Sequence, residues 1–249
     1  MNEERKLEAI ENLRSDLNYY GPYGRQFLSN SDIGTLLYNP KLYGQSRPDS
    51  KNLAEGRYFH QLLLEPEKAK DVHFVDATTR NTNKYREYCE AHNVEFVLLK
   101  NEVEKVQAMV SAMRSNIQFY DDIYADGNVY EQPAVMEHEG LMWKGKADIV
   151  GSEYIIDLKT TSDIHKFKYS AKLYNYDSQA YLYQQLFGKP LVFYVVDKET
   201  HQLGIFHTTD DFITGGLTKV RKAVDVYTRF FGENASEAVQ NHFIEGFLT

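Results

Sequence analysis

The stretch from Trp143 to Thr161, WKGKADIVGSEYIIDLKTT, constrains this chain more than any other. It reads as two strands joined by a turn at Gly151-Ser152. Residues two apart on a strand share a face. Asp157 and Lys159 therefore stand side by side, while Ile155, Ile156 and Leu158 supply apolar packing. A hairpin returns Asp148, near the end of the first strand, to a place beside Asp157. Neighbouring carboxylates repel unless a cation lies between them, and a hard divalent ion such as Mg²⁺ takes oxygen ligands. A lysine beside such an ion orients or deprotonates a water, or stabilises developing negative charge. A bare Asp-x-Lys on a strand is usually a solvated face, so its surroundings decide the reading.

Those surroundings are a Gly-containing strand with an upstream Asp, an apolar DLKTT strand, and a following helix with Gln179 and Tyr183. Together they resemble the PD-(D/E)XK nuclease superfamily in its RecB/RecE-like branch, whose phage members include exodeoxyribonuclease VIII. Asp148 matches the first acidic position and Asp157-Leu158-Lys159 the (D/E)-X-K element. Gln179 to Tyr183 matches Q-x-x-x-Y. The pattern Gly56-x-x-x-His60-x-x-Leu63-Leu64-x-Pro66 resembles the helix that presents a metal-binding histidine, and an imidazole suits Mn²⁺ better than an all-oxygen site does. Without that context His60 reads as an ordinary helix histidine. Residues 29–38, with Pro40 beyond, are similar to the segment that precedes the core in RecE-like nucleases.

The resemblance implies a restriction-endonuclease-like α/β fold, a central mixed β-sheet flanked by helices. It implies one or two Mg²⁺ or Mn²⁺ ions held by His60, Asp148, Asp157 and the Leu158 carbonyl, with Lys159 positioning water and Glu131, Gln179 and Tyr183 completing the site. It also implies digestion of duplex DNA ends, often 5′→3′, in phage or prophage recombination or repair. A single-strand annealing protein is the implied partner, and some relatives form rings. Two other readings stay open: a structure-selective or single-strand nuclease of the same superfamily, and a binding module that keeps the fold without cutting.

The order of elements agrees with an α/β fold: helices first, then three strands, a helix pair, two strands and a last helix. We divide the chain into an N-terminal helix and loop, 1–28, and a nuclease domain, 29–249, within one globular unit. The net charge of −8 argues against a non-specific coating of nucleic acid. The lone Cys89 excludes a disulfide framework or a four-thiolate iron–sulfur cluster. No P-loop is present, so no nucleotide is expected. No signal peptide or membrane-length apolar run is visible, and the expected location is the cytoplasm of a bacterial host.

Elsewhere, residues 3–18 have helical spacing with a stripe of Leu7, Ile10, Leu13 and Leu17. Residues 44–51 read as a polar loop carrying Arg47 and Lys51, and residues 71–82 as a mobile loop at the substrate, with Arg80 available to phosphates. Residues 101–118 form an amphipathic helix ending near Ile117. Glu131 has two readings: it approaches the ion, or it pairs with Lys144 or Lys146 across the sheet. Gly145 allows close backbone approach, for instance by DNA. Lys146, Lys166, Lys168 and Lys172 are candidate phosphate contacts. Strands at 191–196 and 202–208 form a closing hairpin before a helix over 211–232. The apolar tail IEGFLT offers a docking segment.

Overall fold

The structure, a computed structural model, describes residues 1–46 and 48–245. Arg47 and the end of the IEGFLT tail lie outside the described residues.

The N-terminal half is helical: α1 (Glu3–Asn12), α2 (Asp16–Tyr20), α3 (Asn30–Tyr38), α4 (Lys51–Leu64) and α5 (Pro66–Ala69). Next come β1 (Phe74–Val75), α6 (Asn83–His92), β2 (Leu98–Leu99), α7 (Lys100–Ser115) and α8 (Ile117–Ile123). The C-terminal half holds β3 (Val129–His138), β4 (Leu141–Val150), β5 (Ile155–Thr161), α9 (Phe167–Leu173), α10 (Tyr176–Phe187), β6 (Leu191–Asp197), β7 (Leu203–His207) and α11 (Asp210–Phe230).

Local chemistry sets the helix starts. Ser29 and Asp32 form a capping box on α3, and the Ser50 hydroxyl accepts from Leu53 N–H at the start of α4. Lys51 is thus the first residue of a helix rather than loop. Asn116 caps α8 and so divides the expected 101–118 helix, which leaves Ile117 79% exposed. The expected 3–18 helix also divides. Ala9 and Leu13 are buried with Tyr19, Phe27 and Val135, whereas Leu7 and Leu17 of the expected stripe face solvent. Within residues 71–82, β1 pairs in parallel with β2, a pairing that residues this few do not announce in sequence.

The central sheet has five strands in the order β3-β4-β5-β6-β7. Only β5 and β6 are parallel, and the parallel pair is joined by the α9–α10 crossover. Every residue of β6 is buried. Leu191, Phe193 and Val195 pack with α3, α10 and α11, while Val192, Tyr194 and Val196 pack with α4, α7 and α8. A strand covered on both faces reads as a continuous apolar run, as β6 does.

The feature that makes the site is a split in this sheet. β4 and β5 are laddered over just Ile149↔Ile156 and Val150↔Ile155. Beyond that they part, and the edge of β4 is taken instead by Leu28, which accepts from Lys144 N–H at 2.8 Å and donates to Met142 O at 2.9 Å. The N-terminal segment therefore forms one wall of the opening. Trp143 and Ala147 pack on the α10 side, but Ile149 packs on the opposite side. This change of phase lies across the ladder from Glu131, whose φ is +47°. A non-glycine residue in that region costs of order 1–3 kcal/mol and persists where the surroundings enforce it.

Candidate metal centre and cleft

The register aligns three carboxylates. Tyr130↔Ile149 and Gln132↔Ala147 place Glu131 opposite Asp148, and Ile149↔Ile156 carried one step further places Asp148 opposite Asp157. Where the strands part, a carboxylate replaces the ladder: Asp148 Oδ2 accepts from Leu158 N–H at 2.7 Å. His60 reaches over from α4. Its Nε2 lies 2.9 Å from the Leu158 carbonyl oxygen and its Nδ1 3.7 Å from Asp148 Oδ1. Ligand atoms of His60, Glu131 and Asp148 all lie within 4.8 Å of one another.

Asp157 is buried. Gln179 Nε2 donates to its Oδ1 at 2.6 Å. Its Oδ2 forms a close ion pair with Lys159 Nζ, at 2.5 Å. The donor set fits a divalent ion: the carboxylates of Glu131 and Asp148 and the His60 imidazole converge beside the Leu158 carbonyl.

Electrostatics say the same. Burial, reinforced by Asp148, pushes the Glu131 carboxyl up to about 7, against the pull of His60 and Lys146. Burial pushes Asp157 up to about 6, overcoming the attraction of Lys159. Burial tends to lower the Lys159 ammonium, but Asp157, Tyr176 and Asp148 hold it above the usual lysine range. Lys159 is therefore held as a cation.

A pH prediction follows with its sign. Both carboxyls hold their protons to higher pH in the native protein than in the unfolded chain. Their stabilising contribution is complete below about pH 4 and is lost as pH rises through about 6 to 7. In chelator, the melting temperature should fall between pH 5 and 7.5. Mn²⁺ should remove most of the fall, and Glu131→Gln should flatten the chelator profile. A chelator profile that rises over this range would contradict the assignment.

The centre opens into a cleft of about 870 Å³ that is also lined by Lys144, Lys146, Gln179 and Tyr183. Tyr183 donates its hydroxyl to Lys146 O at 2.8 Å and so fixes β4 rather than reaching the ion site. Lys146 Nζ is bound by Asp16 at 2.5 Å and lies 3.9 Å from Glu131, which thus both pairs across the sheet and joins the ligand group. Lys144 donates to Tyr19 O, and burial pushes its ammonium down to about 8.

Other expected contacts lie elsewhere. Arg80 makes a two-pronged pair with Glu102 of α7, at 3.0 and 2.5 Å, and covers the Phe96 ring, so it is a structural anchor and not a phosphate contact. Lys166 pairs with Asp163, Lys168 lies over Tyr169, and Lys172 is exposed; none of these three lines the cleft. A Cβ on Gly145 would meet Leu186 Cδ1 at 2.7 Å and Tyr183 at 3.0 Å, so the glycine lets α10 close on β4. Sequence reasoning missed Asp16, Tyr19 and Tyr20, because nothing in the chain announces that α2 lands on the lysines of β4.

A split mixed sheet with an Asp…Asp-x-Lys constellation defines a PD-(D/E)XK-type nuclease domain. A family model for a PDDEXK-like domain of unknown function (DUF3799) matches residues 39–238. The chain belongs to that family, and the superfamily and fold class expected from its motifs hold. The crystal structure of a Eubacterium rectale protein named "Putative exonuclease" is similar over 94% of this chain and 96% of that one, at TM-score 0.65 and 18% identity, a likeness of fold. The crystal structure of SSO0001 matches over 70% of this chain and 85% of that one, at TM-score 0.33 and 14% identity, too distant to carry an argument. No curated protein matches the chain. No helix among the described residues is long and apolar enough to cross a membrane.

Proposed function

We propose that this protein is a Mg²⁺- or Mn²⁺-dependent deoxyribonuclease that digests DNA from duplex ends, 5′→3′, in recombination or repair. The observation that carries the reading is the convergence of His60, Glu131 and Asp148 ligand atoms within 4.8 Å of one another, beside the buried Asp157–Lys159 ion pair. End-directed action, its polarity, a phage or prophage setting and an annealing-protein partner rest on the RecB/RecE-like motifs. The "Putative exonuclease" name of the Eubacterium rectale protein agrees with end-directed action.

His60, Asp148, Asp157 and the Leu158 carbonyl would hold the ion, with Glu131 at its side. A bound divalent ion supplies polarisation of the phosphoryl oxygen and a more acidic attacking water. Lys159 directs its ammonium at the water or a non-bridging phosphate oxygen. Water forms the new P–O bond as the bond from phosphorus to the ester oxygen breaks; one water proton ends on that oxygen, which leaves as an alcohol, and the other is released to solvent. Gln179 holds Asp157 in its rotamer, a positioning role that preorganises the site.

The test uses linear duplex labelled separately at each 5′ and 3′ end, closed circular duplex and single strands, each with Mg²⁺, Mn²⁺ or chelator. Metal-dependent loss of linear DNA with intact circles, releasing the 5′ label first, is the expected result. Linearised circles would replace exonuclease by endonuclease, and no cutting would leave a binding module. His60→Ala should raise the metal concentration for half-maximal activity by about tenfold or more; an unchanged titration would return His60 to a structural role.

A further inference from the structure

The cleft is rimmed by tyrosines rather than by free cations. Among the described residues its basic lining is Lys144, Lys146 and Lys159 with His60, and no arginine joins them. All three ammonium groups are engaged: Lys144 by Tyr19 O, Lys146 by Asp16, Lys159 by Asp157. Duplex DNA is held mainly through phosphates by available lysine and arginine, and this opening offers few.

Three lining tyrosines are instead largely exposed: Tyr20 at 69%, Tyr38 at 83% and Tyr174 at 62%. They come from the ends of three different helices, α2, α3 and α9, and converge on one opening. Two of them bracket the reacting centre. The Tyr20 ring centroid lies 5.5 Å from Lys146 Nζ, which is itself 3.9 Å from Glu131. On the other side, Tyr174 lies 6.0 Å from the Tyr176 ring, which carries Lys159 Nζ 4.9 Å from its centroid. The same cleft is lined by the small residues Ser31, Gly34 and Thr35 of α3.

An exposed aromatic ring can stack only on a base whose face is free, which stacking denies it everywhere in a duplex but at the terminal pair. We infer that the cleft takes its DNA as an unpaired strand, with the bases flanking the scissile phosphate stacked on Tyr20 and Tyr174 and a further base on Tyr38. A single-stranded overhang enters directly, whereas a blunt duplex must first open its end. This inference rests on the proposed nuclease function and specifies the form of its substrate.

The test measures binding by full-length Asp157→Asn protein, in chelator, of three fluorescent probes: a 12-nucleotide thymidine strand, the same backbone with abasic spacers, and a blunt 12-base-pair duplex. We expect the thymidine strand to bind about tenfold tighter than either other probe. Tyr20→Ala and Tyr174→Ala should each weaken it several-fold, while Tyr20→Phe, which keeps the ring, should restore it. In the active protein the alanine changes should raise KM for single strands more than they lower kcat. Equal binding of strand and duplex, or of abasic and thymidine strands, overturns the inference. If the active protein nevertheless cuts duplex with metal, the nuclease reading stands without it. If base-dependent binding is found and nothing is cut, the stacking rim stands and the nuclease reading fails.

Discussion

Asp157→Asn will reduce metal-dependent cleavage on the order of a thousandfold while the protein stays folded. The change keeps the side chain's shape and its contact with Gln179, but it removes the buried negative charge that pairs with Lys159. It also removes the partner that keeps Lys159 cationic. Lys159→Met should lower turnover comparably and leave ion binding in place, because Lys159 faces the ligand set without belonging to it. The two variants thus separate by metal titration: Asp157→Asn weakens the ion's affinity and Lys159→Met does not. Turnover within tenfold of wild type for either variant would move the reacting centre elsewhere.

Gly216→Val will unfold the protein at a lower temperature than any change within the cleft. At this point α11 crosses α10 backbone to backbone. A Cβ on Gly216 would stand 2.1 Å from Asp177 O and 2.5 Å from Asp177 C. No rotamer relieves such a contact, so the helices must separate, at a cost of about 3 kcal/mol or more. For a chain of this length that lowers the melting temperature by roughly 6–12 °C. Activity should fall as well, since α10 carries the Gln179 that holds Asp157. Gly215→Ala is the control, with its added Cβ in ordinary contact 3.6 Å from Asp177 Oδ2. A Gly216→Val protein with wild-type melting temperature would refute the close crossing.

Much of the centre was legible because strand periodicity is local. The hairpin rule alone puts Asp148 beside Asp157, and period two puts Lys159 beside Asp157. Helical spacing likewise puts Gln179 and Tyr183 on one face of α10. His60 could not be placed by periodicity, since its meeting with Leu158 joins residues far apart in sequence; only the motif pointed to it. The lysines misled for a related reason. A sequence shows charges but not their partners, and the partners of Arg80, Lys146 and Lys166 are Glu102, Asp16 and Asp163. The split between β4 and β5 was hidden too, because both segments carry good strand patterns and only the arrival of Leu28 on β4 shows where they separate. The N-terminal stripe failed where a short helix broke its period at residues 13–15.

The bond from Leu158 N–H to the Asp148 carboxylate has a spectroscopic consequence. A single amide bridges the parted strands, and its acceptor is a carboxylate of the proposed ion site. Its nitrogen and proton resonances therefore read the charge of that site directly, and so does its exchange with deuterated solvent. Adding a divalent ion should shift this one amide ahead of its neighbours in β5, so ion occupancy can be followed in the resting protein with no DNA present.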